Sequence, residues 1–525
     1  MGQTVIQVKE LIHWVLTYSS KMKMIMKRKF IYTILLGASL VLGSCGKDFL
    51  NITQIDKLTG NNYWTSENDV EQYMGGIYST FREATMSNIF FPASGDLRCA
   101  PINRTSATNN SGRDYLVYLR QNNLNSIFAR EGDFSYFGFP RISKWNDFYK
   151  MVQNANIICY QLDNKDMPFL SEEKKKAYKA EAVFLRSLAY FFMVRLFGDV
   201  PYYTDVNTDP LPRTNMITVL KNLSTDLDAN YKNLPWTYDD PSVVAVKAMR
   251  GSALALNMHI NMWIAGFANE DKAPYYEKVE LMGKELMEQN DGAYQLLSLA
   301  KTKEIFKGRT KEGLFEIVQN FNYGESFSLA ASFSDYVLRA PNKVTTNSYI
   351  YYDPKFMEQL YPSIGGDLRK TYWFDDHIYA TDGKFQCLKF LNVFMEEGED
   401  NNPDDNQMIF RYSDPILLRA EALAELNRDG EARDVVNVIR NRAEAAIITE
   451  SGDELKDAIW WERARELFGE GNFFYDLVRT KKVINSKYTS APMSVGAFNS
   501  GGWTWPIDKS ALNNNPYMRL NNYWN

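Results

Sequence analysis

The sequence predicts a scaffold of paired α-helices with long irregular segments between the pairs. Three observations support this prediction: apolar residues recur at helical spacing, capping residues stand at the ends of these segments, and a very short break separates two of them. The irregular segments, residues 94–140, 292–410 and 486–525, are rich in aromatic residues, Asn and Gly. Because long loops in compact proteins commonly carry function, we expect the ligand-binding surface in these segments.

The first predicted helix follows Ser171, a residue suited to capping a helix N-terminus, and carries acidic residues in its first turn. Gly198 and then Pro201 predict its end. Four apolar residues recur at helical spacing and predict one apolar face: Phe184, Leu188, Phe191 and Val194.

A second predicted pair begins at Asp240, which would cap a helix with Pro241 in its first position. Residues 274–290 would supply the partner helix. Three small residues predict a stripe for close helix contact: Ala248, Gly251 and Ala255.

The clearest pair spans residues 411–446, with a predicted start at Asp414 and Pro415 and a break at Asn427–Gly430. A loop this short forces the two helices to run antiparallel. We expect packing of the first helix against the second through these small residues: Ala420 and Ala424 against Ala432 and Val435. Small residues at the crossing resemble those of a tetratricopeptide hairpin.

The N-terminal region has the pattern of a secretory signal peptide over residues 26–44. Three basic residues precede an apolar run at 30–42, and small residues stand before Cys45. The run is too short to span a bilayer comfortably, which takes about 20 residues. Residues 1–25 are too long for the basic region of a signal peptide. We therefore expect them to be a spurious upstream extension or, alternatively, a long leader that is removed.

The charge balance argues against nucleic acid as a partner. The whole chain has a formal charge of −5. Residues 1–44 contain six basic residues and one acidic residue, so the remaining chain has a formal charge of −10. An acidic surface repels phosphate backbones. Because no Pro/Gly/Ser-rich linker divides the chain after Cys45, we expect residues 45–525 to form a single domain.

Cysteine and histidine usage predicts no catalytic residue, no metal site and no cofactor. Cys99, Cys159 and Cys387 form no CxxC pattern, and Cys159 is expected in a buried helix. A disulfide between Cys99 and Cys387 remains an alternative at this point. His259 lies in an apolar helical stretch and is expected to be a core imidazole. Carboxylates are plentiful, so a glycosidase that uses a carboxylate pair also stays open.

Five blocks in order resemble segments of the SusD/RagB family of outer-membrane nutrient-binding lipoproteins. The central block reads "AEAVFLRSLAYFFMVRLFGDVPYY". The blocks are residues 45–51, 180–203, 410–427 with 435–446, 459–483 and 505–524. Within them, Phe473 or Phe474, Gly469 and Leu520 depart from the family pattern, and we expect these departures to affect helix packing alone.

The resemblance implies an all-α fold: a tetratricopeptide-like helix-pair scaffold with long irregular ligand-binding loops. Leu42-Gly43-Ser44-Cys45 resembles a lipobox, which implies lipidation of Cys45 and an anchor in the outer membrane, facing the cell surface. The family is not enzymatic. It implies a SusC-type TonB-dependent transporter as partner and an oligosaccharide as ligand, or a peptide in some members. Rival hypotheses are a secreted glycosidase and a purely structural adaptor.

We predict ligand contacts by Arg98, Asn103, Tyr323, Phe327 and Trp373. A sugar needs flat aromatic rings for its C–H faces and polar side chains for its hydroxyl groups, and three loops offer both. These loops are residues 94–115, 320–327 and 372–376. The alternative for each residue is that it packs a loop onto the scaffold.

Charged clusters in the family blocks are expected to be ion pairs on or between helices, because several of their members lie within a few residues of one another on predicted helices. These residues are Glu181, Arg186, Arg195, Glu462, Arg463 and Glu466. The acidic run 396–405 lacks the calcium-loop pattern and is expected to be a solvated loop.

Overall fold

The structure is a computed structural model that describes residues 63–207, 209–320, 327–394, 402–513 and 515–524. The predicted signal peptide, Cys45 and Tyr323 lie outside the described residues. The chain divides into two compact units, residues 1–69 and 70–525. In the first, the Asp69 carboxylate accepts hydrogen bonds from the backbone N–H groups of Thr65 and Ser66 at 2.9 and 2.8 Å.

The described residues are mostly helical, as predicted. The longer helices are α1 Glu67–Met86, α5 Asn146–Asn164, α6 Glu172–Phe197, α7 Met216–Asn230, α8 Arg250–Phe267, α9 Ala273–Glu288, α14 Ser413–Glu425, α15 Asp429–Arg442 and α16 Gly452–Glu466. The shorter helices are α2 Tyr115–Arg120, α3 Leu124–Ala129, α4 Phe139–Ile142, α10 Thr302–Lys307, α11 Ser334–Val337, α12 Pro354–Leu360, α13 Leu368–Trp373, α17 Phe473–Arg479 and α18 Val495–Asn499. The strands are β1 Ile102–Arg104, β2 Val200–Pro201, β3 Arg213–Thr214, β4 Gly313–Ile317, β5 Ile350–Tyr352, β6 Val393–Phe394, β7 Asn402–Pro403 and β8 Gln407–Arg411.

Successive helices pack side by side and form the scaffold. α5 packs on α6, α6 on α7, α7 on α8, and α8 on α9. α9 then packs on α14, which also contacts α15 and α16. This succession confirms the predicted helix-pair scaffold.

α6 is the central helix, and its predicted ends are confirmed. The Ser171 hydroxyl accepts a hydrogen bond from the backbone N–H of Lys174 at 3.2 Å. Gly198 ends the helix with a φ of +72°, which a side chain would strain. Every residue from Ala180 to Phe197 is buried, so α6 buries all its faces rather than the single apolar face predicted.

The predicted start of α8 at Asp240 is wrong, because the helix begins at Arg250. The Asp240 carboxylate instead caps a turn by accepting from the Ser242 N–H at 2.8 Å. Ala245 has a φ of +59°, which interrupts any helix through this stretch. Gly251 faces the ring of Tyr294 rather than another helix, since an added Cβ atom would lie 2.5 Å from that ring. The partner helix α9 is confirmed.

The α14–α15 hairpin is confirmed. Asn427 adopts a φ of +58° in the loop, which is the left-handed conformation that ends many helices. The four residues predicted at the crossing, Ala420, Ala424, Ala432 and Val435, are all buried.

Among the described residues, four two-stranded antiparallel sheets pair segments that are distant in sequence or fold back on themselves. β1 pairs with β5, with Ile102 opposite Tyr352. β4 pairs with β8, with Gly313 opposite Arg411. These two pairs join the irregular segments to one another and to the start of α14.

The charged residues of α16 form ion pairs between elements, as predicted, but these pairs are buried. Glu462 accepts from Arg369 at 2.8 Å and from Arg440 at 2.9 Å. Glu466 accepts from Arg411 at 2.7 Å. The surrounding arginines lower the pKa of Glu462 to about 2, despite the opposing effect of burial. This network fastens α13, α15 and β8 to α16.

Other polar groups in the core have partners of their own. His259 is a buried imidazole, as predicted, and its Nε2 lies 2.7 Å from Asp414 Oδ2. Cys99, Cys159 and Cys387 are buried and free, so the Cys99–Cys387 disulfide is not formed. Within the ranges described, no helix combines the length and the apolar character needed to cross a bilayer.

The acidic run 396–405 is only partly described. Asp405 is buried rather than solvated, and it accepts a hydrogen bond from Asn392 Nδ2 at 2.7 Å. Burial raises the pKa of Asp405 to about 8. The expectation of a solvated loop is therefore wrong for this residue.

Candidate ligand-binding site

A cavity within the described part of the chain lies between α1 and β4, and we call it the α1–β4 cleft. Its volume is about 690 Å³, within the range of about 300–1,000 Å³ typical of ligand sites. Its lining residues come from α1, the turn after Asp240 and the segment around β4: Gly75, Tyr78, Ser79, Phe81, Arg82, Glu83, Ser242, Val246, Arg309, Phe315, Glu316, Ile317, Val318 and Asn320.

Aromatic side chains form the fixed floor of the cleft. The rings of Phe81 and Phe315 stack at 6.2 Å between centroids. The Tyr78 hydroxyl donates to the Glu181 carboxylate at 2.6 Å and accepts from the Ala248 N–H at 2.8 Å. Burial together with Glu181 raises the pKa of Tyr78 well above its usual value, so the phenol stays protonated.

Polar side chains of α1 form one rim of the cleft. Ser79 and Glu83 are exposed, and Glu83 pairs with Arg141 at 2.8 Å. Arg82 donates to the carbonyl of Val318 at 2.7 Å, and its guanidinium lies 5.1 Å from the centre of the Phe327 ring. Arg82 therefore ties α1 to the chain on both sides of residues 321–326.

Glu316 is a carboxyl group buried at the base of the cleft, with 1 % of its surface exposed. One carboxylate oxygen accepts from the backbone N–H of Arg309. The other, Oε2, has no hydrogen-bond partner among the described residues. Burial raises the pKa of Glu316 to about 7.

This arrangement suits a ligand with many hydroxyl groups. The rim offers hydroxyl, guanidinium, carboxylate and amide groups, and the half-buried Tyr78 offers ring surface. Phe81 and Phe315 are each 1 % exposed and support the floor from beneath. Metal chemistry has no comparable support, because no cluster of three or more potential metal ligands occurs within the described ranges.

The structure separates the predicted ligand residues. Asn103 is half-buried on β1, and its Oδ1 accepts from Arg120 Nη1 at 2.6 Å. Phe327 is 9 % exposed, and its ring contacts the guanidinium of Arg82, which lines the α1–β4 cleft. Tyr323 belongs to the neighbouring residues 321–326, outside the described residues.

Arg98 and Trp373 lie in the core, and the structure does not support direct ligand contact by either. Arg98 has no exposed surface and donates to the carbonyls of Gly502 and Thr504 at 2.9 and 3.0 Å. Burial lowers the pKa of Arg98 to about 10. The Trp373 indole N–H donates to Thr302 Oγ1 at 3.0 Å. Both side chains serve the alternative role of packing a loop onto the scaffold.

Sequence reasoning missed Arg82, Arg309 and Glu316. They stand on a helix, in a turn and on a strand, which come together only in the folded chain. The one local signal in the sequence was Gly308, a residue type that favours turns. In the structure Gly308 and Arg309 both have positive φ and form a tight turn before β4.

Two family models match the chain. The model described as "SusD family" matches residues 377–524, and the model described as "Starch-binding associating with outer membrane" matches residues 103–260. Together they cover the α14–α16 region and the segment from β1 to α8.

Similar proteins match over most of their length. A crystal structure of a SusD homolog from Bacteroides thetaiotaomicron has 42% sequence identity and a TM-score of 0.82, covering 88% of this chain and 100% of that one. A laminarin-binding SusD-like protein has 21% identity and a TM-score of 0.66, over 87% of this chain and 100% of its own. SusD-like protein P25 from Formosa agariphila is 26% identical, over 83% of this chain and 87% of its own.

Proposed function

Because the chain belongs to the SusD family, we propose that it captures an oligosaccharide at the cell surface and delivers it to a SusC-type TonB-dependent transporter. One matching family model describes starch-binding proteins that associate with the outer membrane, and one similar structure is of a laminarin-binding protein. Both support a glycan as the ligand. The protein acts by binding and leaves the glycan chemically unchanged.

The α1–β4 cleft is the observation that carries this proposal. It combines an aromatic floor with a polar rim and lies beside residues 321–326. We assign Asn320, Tyr323 and Phe327 to the ligand surface at this cleft. Asn103 lies on β1 and does not line the cleft, so we propose it as a separate ligand contact. The acidic chain, with its formal charge of −5, makes nucleic acid an unsuitable alternative.

Lipidation of Cys45 anchors the protein in this proposal. The cysteine follows an apolar run with the pattern of a signal peptide. A single acyl chain holds a protein only marginally, whereas two or more chains hold it firmly. A multiply acylated Cys45 would keep the binding cleft at the membrane surface beside the transporter.

Binding measurements on the Cys45→Ala chain test the proposal. Titration calorimetry would compare laminarin and starch oligosaccharides with a set of mixed peptides, and chromatography would examine the recovered glycan. We expect a glycan to bind and to be recovered intact. Binding of peptides alone would support the peptide-capturing alternative, and release of shorter sugars would support the glycosidase.

A blocked cleft localises the binding. Ser79→Trp should fill the α1–β4 cleft and weaken glycan binding by about tenfold or more, since it removes several contacts at once. Gln72→Trp is the matched control, because Gln72 is exposed on the same helix and does not line the cleft. Equal affinities of the two variants would place the glycan elsewhere.

The tyrosine outside the described residues is tested separately. Tyr323→Ala should weaken glycan binding because a stacking ring is lost. Tyr136→Ala removes a ring that is 65% exposed and does not line the cleft, and it should bind normally. Normal binding by both variants would remove Tyr323 from the site.

A further inference from the structure

A second cavity, which we call the C-terminal cleft, lies where the end of α6 meets the closing segment of the chain. Its volume is about 550 Å³, and it shares no lining residue with the α1–β4 cleft. Its lining includes residues 197–199, Phe267, residues 498–504 and residues 519–522.

The floor of the C-terminal cleft is a packed group of aromatic rings. Phe267 and Phe498 stack at 5.9 Å with an angle of 10° between their planes. The Phe267 ring centroid lies 5.1 Å from that of Trp503 and 5.5 Å from that of Trp263. Phe267 is half-buried, so this floor presents rigid apolar surface to the cavity.

Hydrogen bonds fix the walls around this floor. Arg213 donates to the carbonyls of Phe197 at 2.9 Å, Asp199 at 2.7 Å and Arg519 at 3.3 Å. Asn521 donates to Thr504 Oγ1 at 2.8 Å. The closing segment is thereby held against α6 and β3, and the cleft is formed before any ligand arrives.

Asn521 also keeps an unused acceptor. The side chain is 6 % exposed, and its amide nitrogen is already committed to Thr504 Oγ1 and to the Trp505 carbonyl. Its Oδ1 has no hydrogen-bond partner in the part of the chain that the structure describes. A buried amide oxygen without a partner is costly, and a hydroxyl donor in the cleft wall would satisfy it.

The rim carries polar side chains that are available to a ligand. Asn269, Asn499, Asn522 and Lys481 are exposed. Across the described ranges, none of these four side chains forms a hydrogen bond or an ion pair within the protein. Lys481 stands at a φ of +57°, where the turn after α17 projects the residue away from the helix.

The cleft is locally basic on an acidic protein. Lys481, Arg213 and Arg519 line it, and Asp199 is the one carboxylate among its lining residues. The Asp199 carboxylate accepts a hydrogen bond from the Met216 N–H at 2.8 Å, so one of its oxygens is already bonded to the start of α7. Since the whole chain carries a formal charge of −5, this local excess of cations favours an anionic ligand.

We propose that the C-terminal cleft is a second ligand site that binds a carboxylated sugar, separate from the α1–β4 cleft. The apolar face of the sugar ring lies on the Phe267 floor, and the carboxylate pairs with Lys481 and Arg519. The three exposed carboxamides bind the ring hydroxyl groups. Charge-assisted hydrogen bonds to the carboxylate give this site its preference over neutral sugars.

Calorimetry on the full-length chain in detergent tests this site with trigalacturonic acid and 3′-sialyllactose as the acidic probes. Maltotriose and lactose are the neutral counterparts. We expect at least one acidic probe to bind, and we expect high salt to weaken its binding. Which of the two binds distinguishes a uronic acid from a sialic acid.

Single substitutions locate the binding. Lys481→Gln and Arg519→Gln should each weaken binding of the acidic probe by about tenfold, as for loss of a hydrogen bond to a charged group. Asn522→Asp adds a negative charge at the rim and should also weaken it. Lys509→Gln is the matched control, because Lys509 is an exposed cation of the same segment outside both clefts.

Three outcomes would overturn the proposal: no binding of either acidic probe, unchanged binding by all three rim variants, or an equal loss in Lys509→Gln. Melting temperatures of the variants show whether a loss comes from unfolding, and the exposed positions make that effect small. Ser79→Trp should leave binding of the acidic probe unchanged. A negative result for the C-terminal cleft can therefore be distinguished from a negative result for the α1–β4 cleft.

Discussion

Trp373 combines apolar burial with two directed contacts, one to Thr302 and one to Lys389. Its indole N–H donates to Thr302, and the Lys389 ammonium group lies 4.1 Å from the ring centre. Lys389 is itself buried and pairs with Glu470 at 2.6 Å. The ring therefore covers one cation of the buried charge network and belongs to the core.

Trp373→Ala should accordingly lower the free energy of unfolding by about 3–5 kcal/mol, because it leaves a large cavity. Tyr372→Ala is the matched control, since the neighbouring ring is 38% exposed. Its loss should cost less than about 1 kcal/mol. Denaturant unfolding measures both values. A small effect of Trp373→Ala would return this ring to the candidate ligand residues.

Glu316 offers a second test, through the pH dependence of stability. Its pKa is raised to about 7 in the folded chain, from an ordinary value near 4.5. The folded state therefore holds a proton that the unfolded state releases, so this group makes the protein less stable as pH rises from about 4.5 through 7. Glu316→Gln removes the titration and should raise the free energy of unfolding at pH 8 by up to about 3 kcal/mol relative to pH 5.

Glu358→Gln is the control for this change of the free energy of unfolding with pH. The Glu358 carboxylate accepts from the Ser363 N–H at 2.9 Å and from its hydroxyl at 2.8 Å, and these bonds lower its pKa. Its contribution to stability is present at neutral pH and lost as pH falls, so its removal gives no gain at pH 8. Thermal unfolding between pH 5 and 8 compares the two variants. If stability changed with pH in the same way in both variants, Glu316 would not titrate as described.

Residue types allowed some side-chain roles to be predicted and concealed others. His259 was recognisable as a core imidazole because its neighbours are apolar along one helix. Arg98 was not recognisable as a core residue, because its partners, the carbonyls of Gly502 and Thr504, are about 400 residues away in sequence. A guanidinium that satisfies distant backbone groups has no local pattern that marks it as buried.

The close packing of helix α9 against helix α14 depends on one glycine, Gly283. An alanine Cβ at Gly283 would lie 2.8 Å from the Arg419 Cβ atom, which no flexible chain end can relieve. Arg419 in turn reaches Glu280 and Glu288 on α9, both at 3.4 Å. The small residue therefore sets the separation of these two helices.

Gly283→Ala should destabilise the protein by about 1–3 kcal/mol through overpacking, even though alanine favours a helix. Gly76→Ala on α1 is the matched control, because no atom lies within 4 Å of its added Cβ. That variant should gain up to about 1 kcal/mol from helix propensity alone. Melting temperatures that move in the same direction would show that α9 and α14 are not in close contact at this glycine.

Helices with complete end signals were predictable, and the start of α8 was not. Ser171 and Gly198 both act as the sequence indicates, because capping depends on nearby backbone groups. Asp240-Pro241 carries an equally good start signal, yet the segment is held as a turn by Tyr78, which accepts from the Ala248 N–H. A tertiary hydrogen bond here outweighs a local preference.

At the scale of the whole molecule, ion pairs join parts of the chain that are far apart in sequence. Arg411 on β8 reaches Glu312, Glu466 and Glu470 at 2.9, 2.7 and 2.7 Å. Replacing one partner of such a network leaves a buried charge without compensation. The family blocks contain many of these residues, which explains why the scaffold was predictable from the resemblance.

The candidate ligand surface was less predictable because it depends on how loops meet. The α1–β4 cleft draws its lining from three separate stretches of the chain, and the C-terminal cleft from more than three. Residue composition identified these loops as polar and aromatic. It could not distinguish Trp373, which lies in the core, from Phe498, which lines the C-terminal cleft.

The proposed membrane attachment lies in a part of the chain outside the described residues. Since no described helix can cross a bilayer, the proposed attachment through Cys45 makes a sharp prediction. Cys45→Ala should release the protein from the membrane fraction and abolish incorporation of radiolabelled fatty acid, in cells that lack the transporter. Cys159→Ala is the matched control, because Cys159 is 8% exposed within α5 and should leave both signals intact. A Cys45→Ala chain that still sediments with the membrane would show that another segment or a protein partner provides the attachment.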